Sequence, residues 1–479
     1  MDNRKNSTEV APAVETPPSP TAAEHGAVLE PPKNKLMKFY ASSWTQIVLI
    51  SFICFCCPGM YNALTGLGGS GQVNSTVAAN AQVALLSVTA ATALFIGAPL
   101  FWKLGPKILF LLGGWTYALY SGSLLSFNHN ANGAFVIAAG AILGLGASFL
   151  WVVQGAIMTS YVPEHQKGRA IAVFWIIFNL GGGIGSLASF GINFHSTSNT
   201  VSSSTYIALM VIMIVGWLLG VFLCSPKRVR LTQLRRAEEG ENHSWKNIAI
   251  VTFKTITNWR VILMIPLWFS ANVFYAYQNN SVNGETFNIR TRSLNSALYW
   301  MAQMIGGLII GLLQDVVPVS RPKRALIGWT FVLITGMAIW GGGYAFQLWA
   351  NRRLAKGLKQ DIDYMQGSLS AGPIMLYIFY GGYDALWQGF SYWLIGTVSN
   401  SAERTAILVG GYKTFQAVGA AMAWRINAQG KSPLTQLGVD WGLCVGSLLI
   451  VLPTVLTVSR TTEPEGEASA VEEKGRQDA

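Results

Sequence analysis

Residues 144–190 read GLGASFLWVVQGAIMTSYVPEHQKGRAIAVFWIIFNLGGGIGSLASF, two long apolar runs on either side of a short charged hinge, Pro163–Arg169. Roughly 20 apolar residues as helix cross a hydrocarbon core about 30 Å thick, and each run is long enough. The hinge carries Glu164, Lys167 and Arg169, so the stretch is a membrane hairpin whose turn lies in water. A weaker copy of the pattern runs from Tyr383 to Trp424. A membrane hairpin repeated half a chain later marks a duplicated membrane fold.

Composition agrees with that reading. Of 479 residues, 51% are hydrophobic and 11% are charged, whereas an ordinary globular domain is about 25% charged. A soluble fold is thereby excluded. The chain holds 50 glycines, 17 tryptophans and 16 tyrosines, as expected where helices pack closely in lipid and aromatic rings sit at its interfaces. The net charge of +11 does not imply nucleic acid, because the Lys and Arg residues fall in short loops between apolar runs without a basic arm. Cys54, Cys56, Cys57, Cys224 and Cys444 all lie inside apolar segments, which argues against a disulfide framework. The CFCC run at 54–57 lacks a spaced second ligand pair, so no metal site is expected.

Twelve runs long enough to span are expected at 43–64, 77–101, 107–127, 133–160, 170–192, 205–224, 260–279, 293–314, 325–348, 372–398, 404–424 and 435–458. The fold class is therefore an all-α polytopic membrane protein of two pseudo-symmetric six-helix bundles, 43–224 and 260–458. Residues 225–259 form a charged linker, able to lie along the membrane surface as an amphipathic helix. Residues 1–38 and the acidic 461–479 have too little apolar content for a core and are expected to be disordered tails.

Lys33, Lys35, Lys38, Lys103, Lys107, Lys167, Arg169 and the linker cations all fall on one side, whereas loops 65–76, 128–132 and 193–204 contain no Lys or Arg. By the positive-inside rule both termini are cytoplasmic. Arg290, Arg292, Arg352, Arg353, Lys356 and Lys359 run against the rule in the second half. Asn74-Ser75-Thr76 and Asn279-Asn280-Ser281 are glycosylation acceptors in expected outer loops.

Six plus six helices around a cytoplasmic linker is the layout of the major facilitator superfamily. Gly97 to Lys107, with Lys103, Gly105 and Lys107, and Gly311 to Arg324, with Asp315, Arg321, Lys323 and Arg324, resemble that superfamily's gating loop and its repeat. In such a loop a carboxylate at a helix end pairs with basic residues and a neighbouring helix terminus, latching one conformation. The second copy keeps the acid, and the first has Trp102 near its place. The alternative is that the basic residues only anchor helix ends.

Three stretches resemble the fungal branch of the Unc-ninety-three-like family within that superfamily: Cys57-Pro-Gly-Met-Tyr-Asn62 through Gly69, Pro163 to Arg169, and Phe174 to Ser186. Tyr383 to Gly389 and Tyr412 to Gly419 are similar to that group's tenth and eleventh helices. The resemblance implies a membrane protein whose solute is generally unassigned, and animal relatives associated with regulating other membrane proteins.

Polar groups inside a span are costly and need a cavity or a partner. Asp384 and Lys413 are the two clear intramembrane charges, expected to pair with each other or to carry a coupling proton. Gln388 follows Asp384 by four residues and Gln416 follows Lys413 by three, so each amide shares its charge's helix face. Gln154 and Asn179 hold corresponding places in the first half, and Asn62 and Gln303 extend the candidate lining. Amides also serve as interhelical glue, and Gly181, Gly182, Gly183 and Gly185 read as a packing face. Trp151, Trp175, Trp387 and Trp393 read as lipid or interface anchors.

No nucleophile elbow, phosphate loop or histidine ligand pattern is present in the sequence. The expectation is a secondary transporter, not an enzyme and without cofactors, in the plasma membrane or an internal membrane. Its partners are the lipid bilayer and a small-molecule or ion solute. A non-transporting regulator of another membrane protein is the alternative.

Overall fold

The computed structural model describes residues 34–66, 75–193, 203–226, 228–229, 244–359 and 361–461. The amino-terminal helices are α1 Lys35–Tyr40, α2 Ser43–Cys54, α3 Met60–Gly66, α4 Ser75–Thr92, α5 Ala98–Gly113, α6 Thr116–Asn130, α7 Gly133–Ser160, α8 Lys167–Asn193 and α9 Ser203–Leu219. Helix α10, Trp245–Ile256, belongs to the linker. The carboxyl-terminal helices are α11 Trp259–Phe269, α12 Ile289–Asp315, α13 Arg321–Leu354, α14 Ala371–Val398, α15 Ala402–Ala428 and α16 Pro433–Leu456.

Small polar residues start many of these helices. Ser42, Asn132, Asn288 and Ser401 each accept a hydrogen bond from a first-turn amide of the helix that follows, which satisfies a donor the helix cannot. Pro58 removes one donor from the α2–α3 rod, and the backbone there widens into a π-helical turn, Phe55–Gly59. Further π-helical segments lie at Ala93–Gly97 and Tyr277–Gly284.

Among the described residues, 8 helical stretches are long and apolar enough to cross a membrane. One of them, Asn80–Asn130, contains two of the expected spans, because the chain turns at Gly105, whose φ of 71° suits glycine, immediately before Pro106. Helix α9 belongs to a shorter apolar stretch, Tyr206–Phe222. Helices α14 and α15 have 28 and 27 residues, enough to span. They fall short on apolarity because they carry buried polar side chains such as Asp384, Gln388, Lys413 and Gln416.

Helices α4, α7 and α8 of the amino-terminal set meet α12 and α15 of the carboxyl-terminal set, most extensively where α8 runs along α12. Glycines permit that approach. A Cβ on Gly168 would come within 2.6 Å of the Gly311 carbonyl oxygen, and one on Gly311 within 2.5 Å of the Gly168 carbonyl oxygen. Gly181 likewise lies against the Phe55 carbonyl and Gly59, as expected of a packing face.

Helix already begins at Lys35, inside the stretch expected to be a disordered tail, because Asn34 caps it through the Leu36 amide at 3.0 Å. The rest of that tail, 462–479 of the acidic tail, part of the linker, and Asn74 lie outside the described residues. Asn279, expected in an outer loop, instead sits in the π-helical segment before α12, with its amide oxygen accepting from the Tyr377 hydroxyl at 2.8 Å. Two of the second-half cations that ran against the charge rule, Arg290 and Arg353, meet local acids at one end of the bundle. Arg290 Nε reaches Asp363 at 2.6 Å and Arg353 Nη2 reaches Asp361 at 2.5 Å, beside the Phe287–Ile362 β-bridge.

Candidate functional site

A cavity of about 920 Å³ lies between the two helix sets. Its inner wall includes Trp151, Trp175 and Phe178 from one set and Gln303, Gln388, Lys413 and Gln416 from the other. Its lining continues to Glu285, Leu354 and Gly430–Pro433, at the end of the bundle opposite the 163–169 hinge.

Helix α15 brings Lys413 and Gln416 to the cavity one turn apart, and α14 brings Gln388, whereas Asp384, one turn before it and expected in the lining, is buried behind the wall. The four form one directed chain. Lys413 Nζ donates to Gln416 Oε1 at 2.8 Å, Gln416 Nε2 donates to Gln388 Oε1 at 3.1 Å, and Gln388 Nε2 donates to Asp384 Oδ1 at 3.1 Å. The direct Asp384–Lys413 pair expected from the sequence is therefore replaced by a two-amide relay. The physical reason is that each charge has nearer partners. Asp384 accepts from the Tyr275 hydroxyl, from Gln303 Nε2 at 2.7 Å and from the Tyr299 hydroxyl at 3.4 Å. Such bonding stabilises a buried carboxylate without a cation in contact.

The ammonium of Lys413 lies 4.3 Å from the centre of the Trp151 ring, with Tyr412 at 5.0 Å and Tyr392 at 5.6 Å. The negative face of an aromatic ring attracts a cation, so three rings take the place of a carboxylate. The reading of four tryptophans as lipid or interface anchors is corrected accordingly. Trp151 and Trp175 line the cavity, and Trp387 and Trp393 are buried, Trp387 donating to the Leu267 carbonyl at 3.3 Å.

Of the amides expected to line the cavity, Asn62, Gln303, Gln388 and Gln416 do so. Gln154 and Asn179 are buried and do not. Gln154 accepts from the Tyr392 hydroxyl at 3.1 Å, tying α7 to α14, and Asn179 donates to the Trp175 carbonyl of its own helix at 2.9 Å. Sequence reasoning missed Tyr275, Tyr299 and Asn272. The signal was present in the run Asn272-Val-Phe-Tyr-Ala-Tyr-Gln278, where polar groups recur inside an expected span.

The opposite end is closed beneath the hinge. The Asp315 carboxylate, at the last residue of α12, accepts from the Gly168 and Arg169 amides at 2.9 and 2.6 Å, and Arg169 Nε lies 3.6 Å away. Those amides belong to the first turn of α8, where the helix dipole favours an anion. Glu164 meets Arg321 Nη1 at 3.1 Å and accepts from Asn400 at 2.9 Å. Lys167 Nζ donates to the Gly396 carbonyl at 2.5 Å and to Asn400 at 2.7 Å. Arg324 donates to the Val317 carbonyl at 3.0 Å, whereas Lys323 is exposed.

The Gly97–Lys107 copy closes differently. Trp102 packs with Leu94, Ala98, Ile407 of α15 and Ile248 of linker helix α10. Lys103 Nζ stands 5.2 Å from the Trp245 ring of the same helix, and Lys107 is exposed. Exposed Ile250 and Phe253 give α10 the apolar face of a surface-lying helix.

Residues 47–424 match the family model of the Major Facilitator Superfamily. A UNC93-like protein of Schizosaccharomyces pombe is 39% identical over 88% of this chain and 84% of its own. The chain belongs to the major facilitator superfamily, in its UNC93-like branch. UNC93-like protein 1 of Arabidopsis thaliana is 40% identical over 90% of this chain and 94% of its own. Two solved members share the fold at 11% identity. A proton:xylose symporter bound to 6-bromo-6-deoxy-D-glucose superposes with a TM-score of 0.62 over 91% of this chain and 99% of its own. The FucP transporter in its outward conformation gives 0.58 over 88% and 100%. As a superfamily member the chain is an integral multi-pass membrane protein of a transporter family. The Asp315 contact joins α12 to the first turn of α8, at the position where the resemblance places a gating loop.

Proposed function

We propose that this UNC93-like protein is a secondary transporter that moves a small solute by alternating access, held here with its cavity open opposite the latch. The observation that carries the reading is the cavity itself: about 920 Å³, lined by both helix sets, reaching one end and closed at the other. Rocking the two sets about the polar floor would break the Asp315–α8 contact and close the open end. By the charge rule the latch end is cytoplasmic and the cavity faces outward. A regulator without transport would need no such solute path, and the cavity is what favours transport over that alternative.

Coupling is assigned to Asp384. Its carboxylate lies behind Gln303 and Gln388 rather than on the cavity wall, and the two-amide relay connects it to Lys413. A proton taken up there would change the pull on Gln388 and, through Gln416, on the Lys413 ammonium.

The experiment is solute movement in reconstituted vesicles across a broad panel, with and without a pH gradient. Saturable flux is expected, and Asp384→Asn should keep exchange at equilibrium while losing accumulation driven by the gradient. An absence of flux for every solute would overturn the transport reading in favour of the regulator.

A further inference from the structure

The inner end of the cavity shows an imbalance of charge. An ammonium carries three N–H donors. Lys413 has one acceptor, Gln416 Oε1, and three ring faces, and no carboxylate lies within ion-pair reach of it among the described residues. Asp384 cannot supply that partner, since tyrosine hydroxyls and amides already occupy it. Among the described residues, the charged ones lining the cavity are Lys413, Arg292, Lys431 and Glu285, three cations and one acid. A solute entering from the open end meets a net positive path that ends on a cation with a single oxygen acceptor for its three N–H donors.

The walls beside that cation are apolar. Trp151, Trp175 and Phe178 line the cavity and pack on one another, with Trp151–Phe178 and Trp175–Phe178 centroids both 5.6 Å apart. Gln388, Gln416 and Asn272 also line the cavity, their amides joined by hydrogen bonds from Gln388 Nε2 and Gln416 Nε2 to Asn272 Oδ1.

We infer that this inner end binds a small organic anion, its carboxylate on Lys413 and its apolar body against the Trp151–Trp175–Phe178 wall. The inference rests on reading the cavity as a solute path. Three classes of solute fit the site unequally. A cation has no place, because the protein's own ammonium fills the aromatic cage. A neutral polyol would find amides but would leave the remaining donors of Lys413 without an anion. A carboxylate supplies two acceptor oxygens and the missing charge together.

Binding to the purified full chain, followed by calorimetry and by tryptophan fluorescence, tests this without requiring transport. The probes are 4-hydroxybenzoate, its neutral amide 4-hydroxybenzamide, the cation 4-hydroxybenzylamine, and glucose. The benzoate is expected to bind about tenfold or more tightly than the amide, the difference expected of one charge-assisted contact. That preference should vanish in Lys413→Gln and persist in Lys413→Arg. Equal or tighter binding of the amide, the amine or glucose to the wild-type protein would overturn the inference, as would no saturable binding of the benzoate. The wild-type panel decides this even if Lys413→Gln does not fold. Anion preference in the absence of vesicle flux would leave the anion site standing and remove the transport reading instead.

Discussion

At the end beneath the 163–169 hinge, the loops at Gly97–Lys107 and Gly311–Arg324 join the helix sets by opposite chemistries. Where α8 meets α12, the Asp315 carboxylate sits on two backbone amides and Arg169. Where α5 meets α15, Trp102, Leu94 and Ala98 close on Ile407, with Ile248 of the linker helix completing the cluster. The two loops hold corresponding places in the two halves, yet near the place of the acid in one the other has an indole. A carboxylate needs a donor array with fixed geometry and loses its hold when that geometry is broken. An apolar cluster needs only area, and it brings in a third element. The first loop therefore still joins the two sets, and it brings the linker helix into that contact.

Breaking the apolar contact should have the largest effect. Trp102→Ala removes a buried indole, at a cost of about 3–5 kcal/mol for a Trp or Phe truncated in a core. A cysteine placed at Ala98, buried in the same cluster, should become open to a water-soluble thiol reagent from the latch end, at a rate insensitive to salt. The native cysteines are all buried and give a low background. Continued protection would mean that the cluster contributes nothing to closure.

Asp315→Asn tests the other side of the comparison and should cost roughly 2–3 kcal/mol, about 1–1.5 kcal/mol of charged over neutral hydrogen bonding at each of its two backbone amides. It should expose a cysteine at Thr397, buried in the last turn of α14. If Ala98→Cys stays protected in that background, the two contacts open separately. If both become exposed together, they form one gate.

The smallest effect belongs to the far end, where the comparison has a control. Asp363 is partly buried, which pushes its carboxyl up, but Arg290, Asn288 and the Met365 amide hydrogen-bond to it and hold it below the usual carboxylate range. A carboxyl lowered in the folded state stabilises above its unfolded value, and that contribution is lost as pH falls through the folded one. Below about pH 4, hydrogen exchange in residues 361–370 should rise, with a loss of under about 1 kcal/mol. Exchange that does not change in this range would show that the ion pair contributes nothing.

The fold was legible in the sequence because membrane spans announce themselves by length and apolarity, and the hinge at Pro163–Arg169 by its charges. Asp315, which the structure places against the start of α8, stood out because it ends an apolar run just before Arg321, Lys323 and Arg324. The cavity was only half legible. Asp384, Gln388, Lys413 and Gln416 stood out as costly groups in α14 and α15, but which of two similar amides faces a lumen depends on helix rotation, which spacing alone does not give. Asn179 and Gln416 follow matching phenylalanines, and only Gln416 reaches the cavity. Trp151 was misread because a tryptophan that stabilises a buried cation looks the same in sequence as one that anchors in lipid.

The most direct test of alternating access is a pair of spin-label distances, one across the latch end between α8 and α12 and one across the open end between α4 and α15, measured in wild type and in Asp315→Asn. The two distances should change in opposite senses, the latch end widening as the open end narrows. Distances that stay fixed, or that widen together at both ends, would contradict the account.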